Sequence, residues 1–426
     1  MIQAMRPMKP IQTPTVRTGA ALLACTLLLA ATTLCAGTAT ALEPFAPSTA
    51  AAPQDGLKPD KVLRRNPRTG TLSTITGTVL ENGLRGVKVD RDGKESKYDA
   101  SEIVAIEWGQ VPSSFRDGKV FASRGDHENA LARFKMAASD AEARPVVRGA
   151  ARLSAAEALL AWGASDPNRY AECIAEVNRY LSDSKVFSGC DDSDNPQEAR
   201  GVPRARWIKA RASLLAGDTS TAAEGFRALY DAGVIQSAQG YDRTFCMDAG
   251  LEAAHAFLAG DSPNTGTARE LFASLEVAFG QAATLEGVGA EERVHLLAGQ
   301  GRASVGEGFC LLASGDGSKA ERFFQGRLSN AGANPAQRFS ILYGLGRSLL
   351  AQGKYTQGQI KLAMVSALDH TSRDRKAAAM VALADAALKL GTADAPALAR
   401  RWLTKVTSVY ADTPAAAQAA QALENL

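Results

Sequence analysis

The chain of 426 residues is short of aromatic residues, histidines and net charge, and each shortage narrows what it can be. Phe, Trp and Tyr together make up 6% of the sequence, so a core must be built mainly from Ala, Leu and Val. Such a composition favours closely packed helices, because Ala and Leu are strong helix formers while strands draw on β-branched and aromatic residues. Only four histidines occur, His127, His255, His295 and His370, and none is paired with another ligand type in a metal-site arrangement. His127 falls in a turn and His370 in a loop between repeated units. No G-x-S-x-G, Walker A or H-E-x-x-H stretch is present, so no catalysis, cofactor or metal is expected.

Two stretches imitate ligand sites and fail in detail. "GQGRASVGEGF", Gly299 to Phe309, would need glycine where Ser304 stands, and Glu291 to Ala313 has the pattern of one long helix ending before Gly315. "CDDSDNPQE", Cys190 to Glu198, lacks both the turn glycine and the closing glutamate of a calcium loop. Asp90, Asp92 and Asp99 are expected to form turns rather than hold calcium.

At the N-terminus, Arg6, Lys9 and Arg17 precede an apolar run from Ala20 to Leu34, and Ala39-Thr40-Ala41 offers a small-residue cleavage site. That order is expected of a secretory signal peptide over residues 1–41. The run is shorter than the roughly 20 residues of a membrane span, so the mature chain is expected to carry no transmembrane segment. The full chain has 48 basic and 45 acidic residues, and loss of three basic residues with the leader leaves it formally neutral. A neutral chain has no field with which to recruit nucleic acid. Localisation is expected in the periplasm or envelope of a bacterium. There an oxidising compartment allows disulfides among Cys173, Cys190, Cys246 and Cys310. Cys246 and Cys310 lie in apolar helical contexts suited to buried thiols, and Cys173 with Cys190 would tie a loop to the helix before it.

Residues 42–60 are rich in Pro, Ala and Ser without periodicity and are expected to be a flexible linker. The texture then changes. "LSTITGTVL", "LRGVKVD", "ESKYD" and "EIVAIEW" are short segments rich in β-branched residues, separated by the hairpin signals Asn82-Gly83 and Asp90-Arg91-Asp92-Gly93. They predict a small antiparallel β module over residues 61–110, a meander or a partly closed SH3-like or Sm-like barrel.

From about residue 111 to the end the pattern is helical, and a phrase recurs. Glycines 125, 163, 217, 260, 315, 353 and 391 each follow a small residue seven positions upstream, such as Gly118, Ala210, Gly308 and Gly346. In the cleaner copies a bulky residue stands nine positions downstream: Phe134, Phe226, Phe324 and Leu362. A small position facing a large one lets two antiparallel helices approach and interlock. Within "LYGLGRSLLAQGKYTQGQIKLAMV", Gly346 is expected to be such a contact, Gly353 the turn, Gly358 the small site opposite Leu362, and Gly344 merely tolerated.

With Leu342, Leu345-Gly346, Leu349, Gly353, Tyr355, Gly358, Leu362 and Val365 in this order, the chain resembles the tetratricopeptide repeat family over about residues 112–426. Intervals between the glycines run 38, 54, 43, 55, 38 and 38 rather than a constant 34 or so. The closing Tyr410-Ala411-Asp412-Thr413-Pro414-Ala415-Ala416 resembles the endings of bacterial envelope members and supplies a capping helix. The resemblance implies a mainly α fold, an α-α superhelix of six to seven repeats over residues 111–426, with a concave groove as the place of function.

In that frame, positions ten and six before the loop glycine line the groove. They hold Phe115 with Lys119, Trp207 with Arg211, and Tyr343 with Arg347. A ring beside a cation suits an acidic or carboxylate-bearing peptide, the ring supplying apolar area and the cation a charge-assisted hydrogen bond. The Lys-Asn pattern of chaperone-tail-binding members is absent. The expected function is an exported, non-catalytic scaffold that binds another envelope protein or peptide. A small-ligand or glycan-binding protein would need a closed aromatic pocket instead. A helical-repeat hydrolase would need converging carboxylates; Glu157 and Asp385 occupy the cation positions of two other copies, but nothing in the sequence pairs them.

Overall fold

A computed structural model describes residues 58–66, 69–183, 200–260, 262–330 and 334–426. The expected signal peptide, nearly all of the linker, and Cys190 with its acidic loop lie outside the described residues.

The chain is mainly α-helical, its helices packed against one another after a small five-stranded antiparallel sheet. The strands are β1 (Asp60–Arg65), β2 (Leu72–Gly83), β3 (Gly86–Arg91), β4 (Lys94–Asp99) and β5 (Ile103–Glu107), in the order β4-β3-β2-β1-β5. Alternation puts Val62, Ile75, Val79, Val87, Val89 and Ile103 into one small core. Strand β1 was not expected, because its charged sequence DKVLRR contributes a single fully buried apolar side chain, Val62. Strand β2 serves two ladders, pairing with β1 through its first half and with β3 through its second. A bulge between Val79 and Glu81 accompanies the change. The first hairpin turns at Leu84-Arg85, two residues later than Asn82-Gly83, since Gly83 pairs with Gly86. Asp92 and Gly93, with φ of 56° and 82°, make the turn into β4, and Asp99 accepts from the Ser101 amide at 2.9 Å. These aspartates act as turn and cap residues.

Seven helical hairpins follow among the described residues: α1 (Ser113–Ser123) with α2 (His127–Ser139), α3 (Pro145–Trp162) with α4 (Arg169–Ser182), and α5 (Val202–Leu215) with α6 (Thr219–Tyr230). Next come α7 (Arg243–Phe257) with α8 (Thr265–Ala283), and α9 (Ala290–Ala303) plus α10 (Gly306–Ala313) with α11 (Gly317–Asn330). The array closes with α12 (Pro335–Ala351) and α13 (Tyr355–Leu368), α14 (Arg373–Leu390) and α15 (Ala395–Val409), and a final α16 (Ala415–Glu424).

The sequence explains the hairpins locally. Gly125, Gly217 and Gly315 adopt left-handed φ of 76°, 90° and 81°. Each is followed by an aspartate that caps the second helix by accepting an amide three residues on, at 3.2, 3.0 and 3.0 Å. The small-faces-large expectation holds: a Cβ on Gly118 would stand 2.7 Å from the Phe134 ring, on Gly308 2.5 Å from Phe324, and on Gly346 2.7 Å from Leu362.

Three details differ from expectation. Gly163 lies in the turn after α3 but with a helical φ of −52°, and it is small because the Tyr170 ring lies against it rather than because the turn needs a left-handed residue. Gly344 is a close approach rather than a tolerated residue, since its Cβ would meet Phe324 Cζ at 2.2 Å. The single helix expected over Glu291–Ala313 is broken at Ser304-Val305. There the Phe272 ring of α8 presses on Gly306, and Ser304 Oγ donates to Gly301 O at 2.9 Å and accepts from Gln337 at 3.0 Å.

The sheet is laid along the starts of four successive first helices. Arg144, just before α3, binds the buried carboxylate of Asp60 through both Nη atoms. Arg200, before α5, donates to Ile103 O at 2.6 Å and Ala100 O at 3.3 Å. Gly240, before α7, has a φ of 81° and packs on Leu84, and Arg65 lies 3.9 Å from Glu292 in the first turn of α9.

Candidate functional site: the faces of the first helices

The three aromatic–cation pairs expected in the groove have three different fates. Phe115 is buried on Phe134, ring centroids 5.8 Å apart, and Lys119 Nζ sits 4.7 Å above its ring. Trp207 is half-buried between two core clusters, 6.4 Å from Phe226 and 6.5 Å from Phe245. Its ring is covered by Arg204 at 4.7 Å, and Arg204 in turn pairs with Glu157 at 3.0 Å. Arg211 is committed within the protein: it donates to both oxygens of Asp374 at 2.9 and 3.2 Å and to Asp412 O at 3.2 Å, with Glu252 at 3.7 Å. Burial opposes its charge, but Asp374, Glu252 and Asp412 together outweigh burial and raise its pKa.

Tyr343 and Arg347 remain together and open. Arg347 Nη1 donates to Tyr343 Oη at 3.0 Å, its guanidinium carbon lies 5.9 Å from the ring centroid, and it forms no ion pair among the described residues. Its pKa is raised first by Tyr343 and further by Asp385. One turn apart on α12, the two side chains continue a stripe that crosses three first helices. His255 of α7 packs edge-on to Phe309 of α10 at 5.6 Å, and Phe309 lies 6.2 Å from Tyr343. Phe309 stands six residues before Gly315, so this copy carries a ring where its neighbour carries Arg347.

A second group was not recognised in the sequence. Asp248, Glu252 and His255 share one face of α7 at spacings of four and three. Asp248 accepts from Arg302 at 3.0 Å and bonds His295 Nε2 at 2.8 Å. Glu252 has its pKa raised by burial and by Asp374 and Asp248, against the pull of Arg211 and Arg302. His255 keeps an exposed face, while desolvation by the neighbouring helices, followed by the cations Arg302 and Arg375, pushes its pKa down to about 4. The signal available in the sequence was this polar stripe on an otherwise apolar helix.

The acids therefore converge at Asp248, Glu252 and Asp374, not at Glu157 and Asp385, and Asp248 and Asp374 are bound to arginines. Among the described residues, no group of three or more His, Cys, Asp or Glu is arranged to hold a metal ion, and no helix is long and apolar enough to cross a membrane. Two shallow depressions, one lined by Arg133 and Met136 and one by Leu328 and Ile360, include none of the stripe residues. Cys173, Cys246 and Cys310 are buried free thiols among the described residues, and the expected link from Cys173 to Cys190 falls outside them. Compared with protein-family models the chain matches none, and the comparison with curated proteins gives no match either.

Proposed function

We propose that the protein is an exported, non-catalytic scaffold of tetratricopeptide type that holds an acidic or carboxylate-bearing segment of another envelope protein against His255, Phe309, Tyr343 and Arg347. The observation that carries this reading is Arg347. It is exposed, hydrogen-bonded to Tyr343 at 3.0 Å, and free of the acidic partners that occupy Arg211. An arginine held over a ring presents its remaining donors in a fixed fork, which suits a carboxylate. Adjacent rings supply apolar area for the residues beside that carboxylate. The recurring Gly-Asp turns and small–large contacts support the family assignment. The basic leader and the Tyr410–Ala416 ending support export and an envelope location.

The test is fluorescence anisotropy with labelled acidic peptides and their neutral amide counterparts, against wild type and Arg347→Ala. A charge-assisted hydrogen bond contributes about 1.5–3 kcal/mol, so the variant should weaken binding of the acidic peptide by roughly ten- to a hundredfold. Equal binding of acidic and neutral peptides, or no loss in the variant, would remove this assignment.

One observation favours hydrolysis as a second reading: Glu252, with a raised pKa, lies one turn from His255 on α7. That reading requires turnover that Glu252→Gln abolishes while peptide affinity at Arg347 is unchanged.

A further inference from the structure

The stacking of neighbouring hairpins does not require every contact in the array. Arg211 on α5 and Asp374 in the first turn of α14 are 163 residues apart and meet through two hydrogen bonds. A third bond runs from Arg211 to Asp412 O, in the turn between α15 and α16. The receiving side is prebuilt: Arg373 binds the Asp412 carboxylate at 3.0–3.2 Å, donates to Val409 O and lies 4.9 Å over the Tyr410 ring.

Residues of α5 belong to the core clusters shared with α3, α4, α6 and α7, and those of α14 to clusters shared with α12, α13, α15 and α16. No buried cluster among the described residues contains both α5 and α14. The hairpins are joined to their neighbours by interlocked apolar surfaces, whereas this long-range contact is polar. Its acids are partly open to water, Asp374 being 38% and Asp412 56% exposed. Arg211 itself is 13% exposed, so salt acts through the open acids and screens this contact less than a surface pair.

We propose that Arg211 with Asp374 and Asp412 forms a latch that holds the C-terminal hairpin across the array, and that releasing it widens access to the stripe at His255. The groups facing the latch are Tyr170 from α4, Glu252 from α7, and Arg373 beside Asp374. Arginine keeps its charge at every working pH, and near neutrality salt is the natural release. The occupant of the opened groove rests on the peptide reading above, but the latch does not.

The experiment is amide exchange by mass spectrometry on the full chain at low and high salt, with carbethoxylation of His255 as the measure of access and His370 as the internal reference. In Arg211→Ala and Asp374→Asn, exchange in 409–414 and the first turn of α14 should rise about tenfold at low salt, a local opening. His255 should be modified correspondingly faster, and wild type should approach the variants at high salt. The exchanged pair Arg211→Asp/Asp374→Arg should restore part of the protection. If Arg211→Ala fails to fold by circular dichroism, Asp374→Asn carries the test with Arg211 left in place. Unchanged exchange and unchanged His255 modification in a folded variant overturn the latch. Opening and faster modification without any peptide binding support the latch and count against the peptide reading alone.

Discussion

Asp60 and Arg144 meet face to face across 84 residues, with paired bonds of 2.7 and 2.8 Å joining the first strand to the start of α3. The Asp60 side chain is 1% exposed, and it also accepts from the Val79 and Gly109 amides at 2.8 and 2.7 Å. Removing the arginine leaves a buried carboxylate with only those two amides. Arg144→Ala should therefore destabilise by about 3 kcal/mol, the low end for a broken buried pair. Urea unfolding measures the loss, and proteolysis should release the sheet before the helices are cut.

The glycines sort into three classes that one substitution separates. Gly344→Ala and Gly346→Ala drive a methyl into Phe324 and Leu362 and should cost about 1–3 kcal/mol by overpacking. Gly353→Ala, at a φ of 73°, should cost about 1 kcal/mol through the backbone alone. Gly326 has nothing near its Cβ direction, and Ala there should stabilise the helix by about 0.5–1 kcal/mol. Thermal melts of the four variants decide the ordering. A gain at Gly344 would refute the assigned contact with Phe324.

His255 and His295 should titrate in opposite directions from the ordinary histidine value of 6.5. His255 has its pKa pushed down to about 4, so it contributes stability that is present above pH 6.5 and lost as pH falls toward 4. His295 has its pKa raised by its hydrogen bond to Asp248, so its contribution is full below pH 6.5 and fades as pH rises through the shifted value. Imidazole proton resonances followed against pH check both. His295→Gln should lose stability at pH 5–6 and little at pH 9.

Burial pushes the Cys173 and Cys246 thiols up to about 12 and that of Cys310 up to about 11. The thiolate is the reactive form, so all three should resist alkylation in the folded protein and react at once in denaturant. Peptide mapping after brief maleimide exposure reads this directly. Labelling of Cys310 in the native state would contradict its burial.

The hairpins were legible in the sequence because each is decided within about 40 residues by the sequence's own glycine spacings. Gly118, Gly308 and Gly346 name their bulky partners at a fixed offset, and the turn chemistry lies beside them. Gly344 was misread because its partner, Phe324, belongs to the preceding hairpin, and packing between hairpins has no fixed offset when repeat lengths vary. The break at Ser304-Val305 depends on Phe272 from another helix, which helical periodicity does not register. Among the candidate site residues, sequence position placed Tyr343 and Arg347 side by side correctly. It could not show that Arg211 is satisfied by Asp374, since that contact joins residues 163 apart in the chain.

The two long-range attachments have a consequence for length. Repeat arrays ordinarily grow or shrink by whole units, because each unit touches only its neighbours. Here one sheet touches four successive helix starts from Arg144 to Glu292, and Arg211 reaches forward to Asp374. Inserting or deleting a single hairpin between α3 and α14 would misalign one attachment or the other. Built from repeating parts, the molecule is nevertheless fixed in number, more like a ring of set size than a chain of open length.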